Sequence, residues 1–249
     1  MILEKFGKER MQSIAETITE TLKLKSAGLK HVAVTMEAAN NDYEYALQNK
    51  STIEELYALR NRKIKWMIEL QKKLDLPILT IYLMPADIKD AEQKRIMNEH
   101  LAGLLTELRA KKMLEDSQIK ITFLGKWYSL GSSLVEQIKM AIDETKEFDK
   151  FFLNLCINYD GQEEITDACR LIARKVLAEK LDPETITKET IKENIYSSYF
   201  MPPQLIIKNS SHTTTGLLLW DSAQSQILFT DKHWSDFRQQ DFLKAVGSY

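Results

Sequence analysis

The sequence predicts one α/β domain in which a mainly parallel central sheet is flanked by helices. Short apolar runs rich in β-branched residues alternate with longer stretches of helical periodicity. This alternation is typical of parallel βαβ units with right-handed crossovers. The 249 residues are enough for one large domain with a full core. We therefore expect an N-terminal helix within residues 1–29 and a single domain over residues 30–249.

Each predicted strand is a short apolar run bounded by turn-forming residues. The predicted strands are 31–36, 77–84, 119–125, 151–159, and the runs QLIIK (204–208), GLLLW (216–220) and QILF (226–229). The predicted helices are 1–28, 51–74, 88–113, 131–145, 160–180 and 183–200. Residues 37–46 predict a polar loop, and Ser51 with Glu54 has the form of a capping box for the helix that follows.

The composition excludes several classes of protein. Lys and Arg number 34 against 36 Asp and Glu, without a basic block, which argues against a nucleic-acid partner. No apolar run approaches the roughly 18 residues that a membrane span needs. Cys156 and Cys169 follow no metal-ligand spacing, which favours a reduced, cytoplasmic setting. The amphipathic N-terminal helix leaves peripheral membrane contact open, with packing on the domain or on a partner as the alternative.

The stretch 202–237 is the most informative part of the chain. Its first two apolar runs, QLIIK and GLLLW, are separated by the polar segment 209–216. In a parallel α/β sheet, a loop of this kind opens at the carboxyl end of a strand, where such folds bind ligands.

Residues 217–237, LLLWDSAQSQILFTDKHWSDF, resemble the closing segment of the cis-prenyltransferases, the undecaprenyl and dehydrodolichyl diphosphate synthases. The blocks HVAVTM, LTIYLM, ITFLGKWYSLG and FFLNLCINYDGQEEITDACRLIARKV resemble the earlier strands of that family, so the likeness covers residues 30–249. It implies a parallel sheet with a hydrophobic tunnel and a dimeric assembly. It also implies Mg²⁺-dependent elongation of an allylic diphosphate by isopentenyl diphosphate.

The charged residues of the family pattern mostly do not match. Where the family has Asp after the first strand, this chain has Glu37, whose carboxylate sits on a longer side chain and is the metal candidate. The glycine that follows in the family is Ala38 here, and the next residues, Asn40 and Asn41 among them, include no arginine. A longer carboxylate and a missing glycine alter a site that depends on one geometry.

Charged residues of the family pattern are also missing near the C-terminus. Lys208 stands where the family has its first arginine, which keeps the charge but loses the bidentate fork. The loop after it, with His212, lacks a second arginine and a glutamate, and Gln226 replaces a carboxylate ligand of Mg²⁺ with a weaker amide. The family's C-terminal R-x-G segment is not matched. The expected vestigial pyrophosphate pocket comprises Glu37, Ala38, Asn40, Asn41, Lys208 and His212.

These losses together favour a non-catalytic accessory subunit of a heteromeric cis-prenyltransferase that makes long-chain polyprenyl diphosphate. The resemblance implies a catalytic homologue as partner in a heterodimer or heterotetramer, prenyl diphosphates as ligands, and Mg²⁺ for the complex. The expected dimer interface comprises Leu219, Trp220, Gln226 and Phe229.

Two other interpretations stay open. In the first, Glu37, Asp42, Lys208 and His212 surround a remodelled pocket that acts on a single prenyl diphosphate by cyclisation or irregular condensation. In the second, the fold binds a prenyl chain without chemistry. His212 could equally be a loop residue that faces water, and Trp234 with its neighbouring carboxylates has the pattern of scaffold residues.

Overall fold

The computed structural model describes residues 28–36, 42–209 and 212–249. Residues 1–27, which carry nearly all of the predicted N-terminal helix, lie outside this part of the chain, as do residues 37–41 and 210–211. The fold is therefore described from Gly28 onward.

A six-stranded sheet forms the centre of the domain, in the spatial order β3-β4-β2-β1-β5-β6, and every pair of neighbours is parallel. This arrangement confirms the predicted fold class. The strands are β1 (His31–Thr35), β2 (Ile78–Pro85), β3 (Ile119–Leu124), β4 (Phe151–Tyr159), β5 (Leu205–Asn209) and β6 (Gln226–Thr230). Because all pairs are parallel, the carboxyl ends of all six strands meet at one edge of the sheet.

Helices connect the strands. The α-helices are α1 (Asp42–Gln48), α2 (Ile53–Lys73), α3 (Ala91–Ala110), α4 (Ser132–Thr145), α5 (Gly161–Leu177), α6 (Lys188–Lys192) and α7 (Gln239–Gly247). Short 3₁₀ helices lie at Trp127–Ser129, Pro183–Thr185 and Asp221–Gln224. Strands β1, β2 and β4 are almost entirely buried, as expected for parallel strands covered on both faces, whereas the outer strand β6 is largely half-exposed.

Three predicted elements were wrong. The predicted polar loop 37–46 contains the start of α1, which packs through the buried residues Asp42 and Ala46. The run GLLLW is not a strand, because Leu218 has a φ of 46°, a left-handed conformation that strands exclude. The predicted helix 183–200 is reduced to the short helix α6, a 3₁₀ turn and further turns.

The capping box of α2 also lies one residue later than predicted. Thr52, not Ser51, is the N-cap: its hydroxyl accepts from the Glu55 N–H, and the Glu55 carboxylate accepts from the Thr52 N–H. Ser51 donates instead to the Glu55 carboxylate at 2.9 Å. Both possible pairs have the spacing of a capping box, and only the backbone path selects one.

The start of α5 packs directly against the loop that follows β5. A Cβ atom placed on Gly161 would lie 2.0 Å from the Gly216 carbonyl oxygen and 2.8 Å from the Leu219 Cβ. Gly161 is therefore required for this loop to close over the carboxyl end of β4.

We expect Gly161→Ala to lower the free energy of unfolding by about 1–3 kcal/mol, because a methyl group there overpacks two backbone segments. The matched control is Gly103→Ala in α3, where an added Cβ meets no atom within 4 Å. That change should raise the free energy of unfolding by up to about 1 kcal/mol through helix propensity. Urea unfolding of both variants measures the difference, and equal stability of the two would show that the loop is not held at Gly161.

Candidate functional site

The crevice between β1 and β5 is the position where this topology places a ligand. β1 is followed in sequence by β2 on one side, and β5 by β6 on the other, so the connections leaving them diverge. A ligand of an open parallel sheet binds at such a switch point, outside the carboxyl ends of the strands.

Asn209 bridges this crevice with its backbone N–H and its side-chain amide. Its N–H donates to the Thr35 hydroxyl at 2.9 Å, and its Nδ2 donates to the Thr35 carbonyl oxygen at 2.8 Å. Both residues are buried, and the Asn209 Oδ1 has no hydrogen-bond partner among the described residues. The last residues of β1 and β5 are therefore tied together by polar groups of the protein itself.

The predicted pocket residues divide into three groups. Glu37, Ala38, Asn40 and Asn41 lie outside the described residues. Lys208 is buried at the end of β5, where its Nζ donates to the Asn209 carbonyl oxygen at 3.4 Å.

His212, in contrast, is 73% exposed and lies 2.7 Å from the carboxylate of Asp231, itself 89% exposed. The structure thus separates the two: Lys208 belongs to the interior, and His212 has the position of a loop residue that faces water.

Asp42, the first residue of α1, is the best satisfied polar group near this edge. Its carboxylate is fully buried. The Oδ1 atom accepts a hydrogen bond from the Trp234 indole at 3.0 Å and lies 3.0 Å from His233 Nε2. The Oδ2 atom accepts a hydrogen bond from the Tyr57 hydroxyl at 3.4 Å. Tyr45 stacks on the His233 ring with centroids 3.7 Å apart. These contacts fasten the segment after β6 to α1 and α2, so Asp42 serves the scaffold.

Arg60 is the charged residue that reasoning from sequence missed. It lies on the buried side of α2, its side chain is fully buried, and its Nη1 donates to the Leu83 carbonyl oxygen near the end of β2. One signal was available: Arg60 interrupts an apolar stripe of helical spacing that includes Leu56 and Ile64. A charge at such a position calls for a specific explanation.

A second polar network surrounds Glu164 at the start of α5. The Glu164 carboxyl accepts from the Tyr159 hydroxyl at 2.6 Å and from the Ser197 N–H at 3.3 Å. Burial raises the pKa of Glu164 to about 7, with a contribution from the nearby carboxylate of Asp221. The ammonium group of Lys192 forms an ion pair with Asp221, with Nζ 2.7 Å from the carboxylate oxygen Oδ2. The network ties α5 to the segments around α6 and after β5.

The expected interface residues lie on one side of the domain. Leu219 and Trp220 are half-buried and line an open cavity of about 590 Å³. Gln226 is exposed and Phe229 is 40% exposed on the outer strand β6. The four residues are thus available for contact, and their role stays a prediction.

The described residues do not form a Mg²⁺ site. In residues 28–36, 42–209 and 212–249, no three His, Cys, Asp or Glu side chains are grouped as metal ligands. The first described carboxylate after β1, Asp42, is already engaged by the indole, imidazole and hydroxyl groups around it. No reaction step through a metal follows from these residues.

A family model described as "Putative undecaprenyl diphosphate synthase" matches residues 41–249. The chain belongs to the cis-prenyltransferase family. It is 32% identical over 231 residues to the tritrans,polycis-undecaprenyl-diphosphate synthase (geranylgeranyl-diphosphate specific) of Methanocaldococcus jannaschii, covering 88% of this chain and 79% of that one. It is 32% identical to an isoprenyl transferase of Prochlorococcus marinus, over 75% of this chain and 69% of that one.

Solved structures support the fold. Lavandulyl diphosphate synthase from Lavandula x intermedia superposes with a TM-score of 0.75 at 23% identity, covering 89% of this chain and 94% of that one. In the described part of this member of the cis-prenyltransferase family, no helix is long and apolar enough to cross a membrane.

The raised pKa of Glu164 predicts a pH-dependent stability. Between about pH 4.5 and pH 7 the folded chain retains a proton on Glu164 that the unfolded chain has lost, so the free energy of unfolding falls as the pH rises. Glu164→Gln should remove this pH-dependent part of the free energy of unfolding, which amounts to about 3 kcal/mol at most.

Urea unfolding at pH 5 and pH 8 provides the measurement. The control is Glu163→Gln: Glu163 is half-buried and its pKa is lowered by Lys126, so its titration lies below this window. An unchanged pH dependence in Glu164→Gln would contradict the assignment.

Proposed function

We propose that this chain is the accessory subunit of a heteromeric cis-prenyltransferase. In this proposal a catalytic homologue binds the allylic diphosphate, isopentenyl diphosphate and Mg²⁺ and makes long-chain polyprenyl diphosphate, while this chain supplies the supporting surface. The observation that carries the proposal is the bridge between Asn209 and Thr35, which uses the polar groups at the ligand-binding crevice for internal hydrogen bonds.

The distribution of positive charge supports the same role. Two diphosphate groups need several cationic donors, each worth about 1.5–3 kcal/mol as a charge-assisted hydrogen bond. Lys126, after β3, is paired with Glu163 at 2.6 Å and with Asp167 at 3.3 Å. Lysines that are already paired with carboxylates are poorly suited to bind two diphosphates as well.

The face around β6 is the surface that we assign to the catalytic partner. β6 is an outer strand whose far edge is not paired by any of the described residues, and covering is one way in which proteins protect such edges. Trp220 borders the adjoining cavity, and Phe229 is exposed on the strand. Aromatic residues of this kind are enriched at protein interfaces.

The complex would be cytoplasmic and would meet the bilayer through its polyprenyl product.

One observation favours a second candidate, an enzyme that acts on a single prenyl diphosphate by cyclisation or irregular condensation. Arg60 has two buried donors, Nε and Nη2, with no hydrogen-bond partner among the described residues. One arginine of this kind could serve one anionic group, although two diphosphates would need more.

The first test is an elongation assay with geranylgeranyl diphosphate, isopentenyl diphosphate and Mg²⁺. We expect no product from the purified chain alone. Product should form, in larger amount than with the partner by itself, when a homologue from the same source with an intact D-G-N-R segment is added. Elongation by the isolated chain contradicts the accessory role, and release of diphosphate without elongation favours the second candidate.

The second test concerns the interface. We expect Phe229→Glu to abolish association with the catalytic homologue in analytical ultracentrifugation, because it places a charge in an apolar contact. Met140→Glu is the matched control, since Met140 has the same 40% exposure but lies on α4, which packs beside β3 at the opposite edge of the sheet. If both variants associate like the wild type, the β6 face is not the interface.

A further inference from the structure

Residues 217–224, the cavity segment, contribute half of the residues that line the open cavity of about 590 Å³. Polar contacts attach this segment to the rest of the domain. The Leu218 N–H donates to the Tyr159 hydroxyl at 3.1 Å, and the Asp221 carboxylate accepts from the Ser197 hydroxyl at 2.6 Å. The position of the cavity segment, and with it the shape of the cavity, therefore depends on Tyr159 and Ser197.

Glu164 joins these two contacts into one network. Its side chain is fully buried, and the Tyr159 hydroxyl that accepts from Leu218 donates in turn to the Glu164 Oε2 at 2.6 Å. The Ser197 N–H donates to the Glu164 Oε1 at 3.3 Å. A change in the charge of Glu164 therefore acts on both attachments of the cavity segment.

The network contains two carboxyl groups and one ammonium group. Lys192 lies 2.7 Å from Asp221 and also donates to the Ser197 carbonyl oxygen at 2.9 Å, so its charge is used at Asp221. Glu164 is left without a cation of its own in this network.

Other cations around α5 do not compensate Glu164 either. Lys126, after β3, is paired with Glu163 at 2.6 Å and with Asp167 at 3.3 Å, and Arg170 is paired with Asp167 at 2.7 Å. Among the described residues, no ion pair reaches Glu164. An ionised Glu164 is therefore a buried charge beside a second carboxylate, which destabilises the closed arrangement.

Glu164 is the group of this network that titrates near neutral pH. Burial raises its pKa to about 7, and the hydrogen bonds from the Tyr159 hydroxyl and the Ser197 N–H offset this only in part. Burial also raises the pKa of the other acidic side chains that face Glu164, so that they stay neutral below pH 8: Cys156 and Tyr159 of β4, and Tyr196 after α6.

The proton on Glu164 therefore stabilises the closed network. When the cavity segment opens, Glu164 meets water and its pKa returns to the ordinary value of 4.5. The closed form holds its proton up to about pH 7, so opening becomes easier as the pH rises from 4.5 to about 7 and changes little above that.

We propose that Glu164 is a pH-sensitive latch of the cavity segment. The protonated carboxyl group keeps residues 217–224 attached to Tyr159 and Ser197, and loss of the proton releases them, which changes the cavity that they line. The latch belongs to this chain alone and does not depend on a role as an accessory subunit.

Amide hydrogen exchange at Leu218 measures the latch directly, because this N–H bonds to the Tyr159 hydroxyl. In the wild type, the protection factor of this amide, which corrects for the intrinsic effect of pH on exchange, should fall about 10- to 100-fold between pH 5 and pH 8. Glu164→Gln, which carries no charge at either pH, should remove this fall. Glu163→Gln is the matched control and should retain it, because the pKa of Glu163 is already lowered by Lys126.

The Leu153 amide in β4 is the reference for global unfolding, since β4 is paired with a strand on each side. Opening of the cavity segment alone exposes little surface, so exchange at Leu218 should depend on urea much less than exchange at Leu153.

The latch is excluded if the Leu218 protection factor does not change with pH in the wild type, or if it changes equally in Glu164→Gln. Equal protection and equal urea dependence of the two amides would also overturn it, because Leu218 would then exchange only by global unfolding. The first and last of these outcomes need only the wild type, so they decide the question even without a folded Glu164→Gln.

Discussion

The parallel pairing of β1 with β5 determines what the carboxyl-terminal edge of the sheet can do. At this point the connections diverge, and an open crevice with free polar groups would be the natural site for an anionic ligand. Two hydrogen bonds between Thr35 and Asn209 close it from within. Donors that satisfy a neighbouring strand are not free for a ligand, so these two donors stabilise the sheet itself.

Two buried charged residues close to this edge illustrate different physical situations. Asp42 is satisfied by three side chains of the protein, and it joins distant segments of the chain. Arg60 is satisfied at one nitrogen by a backbone oxygen and is left with two unused donors. A compensated charge is explained by the fold, whereas an uncompensated one destabilises the fold.

Membership in the cis-prenyltransferase family fixes the architecture more firmly than the activity. A fold can support different roles, and the role depends on the chemistry of the site. In this chain the apolar frame that builds the sheet is retained, and Lys126, just after β3, is paired with the carboxylates of Glu163 and Asp167. Among the described residues, this lysine therefore serves the packing of the domain.

The sequence by itself determined the fold class, the strands β1 to β4 and the family, because apolar periodicity and strand composition are local properties. Strand β4 was predicted to the residue. Only the tertiary structure decided the rest: that the apolar run at Leu218 turns instead of pairing, that Lys208 lies inside while His212 faces water, and that Arg60 is buried. These features depend on backbone dihedral angles and on contacts between residues far apart in the chain, which periodicity does not encode.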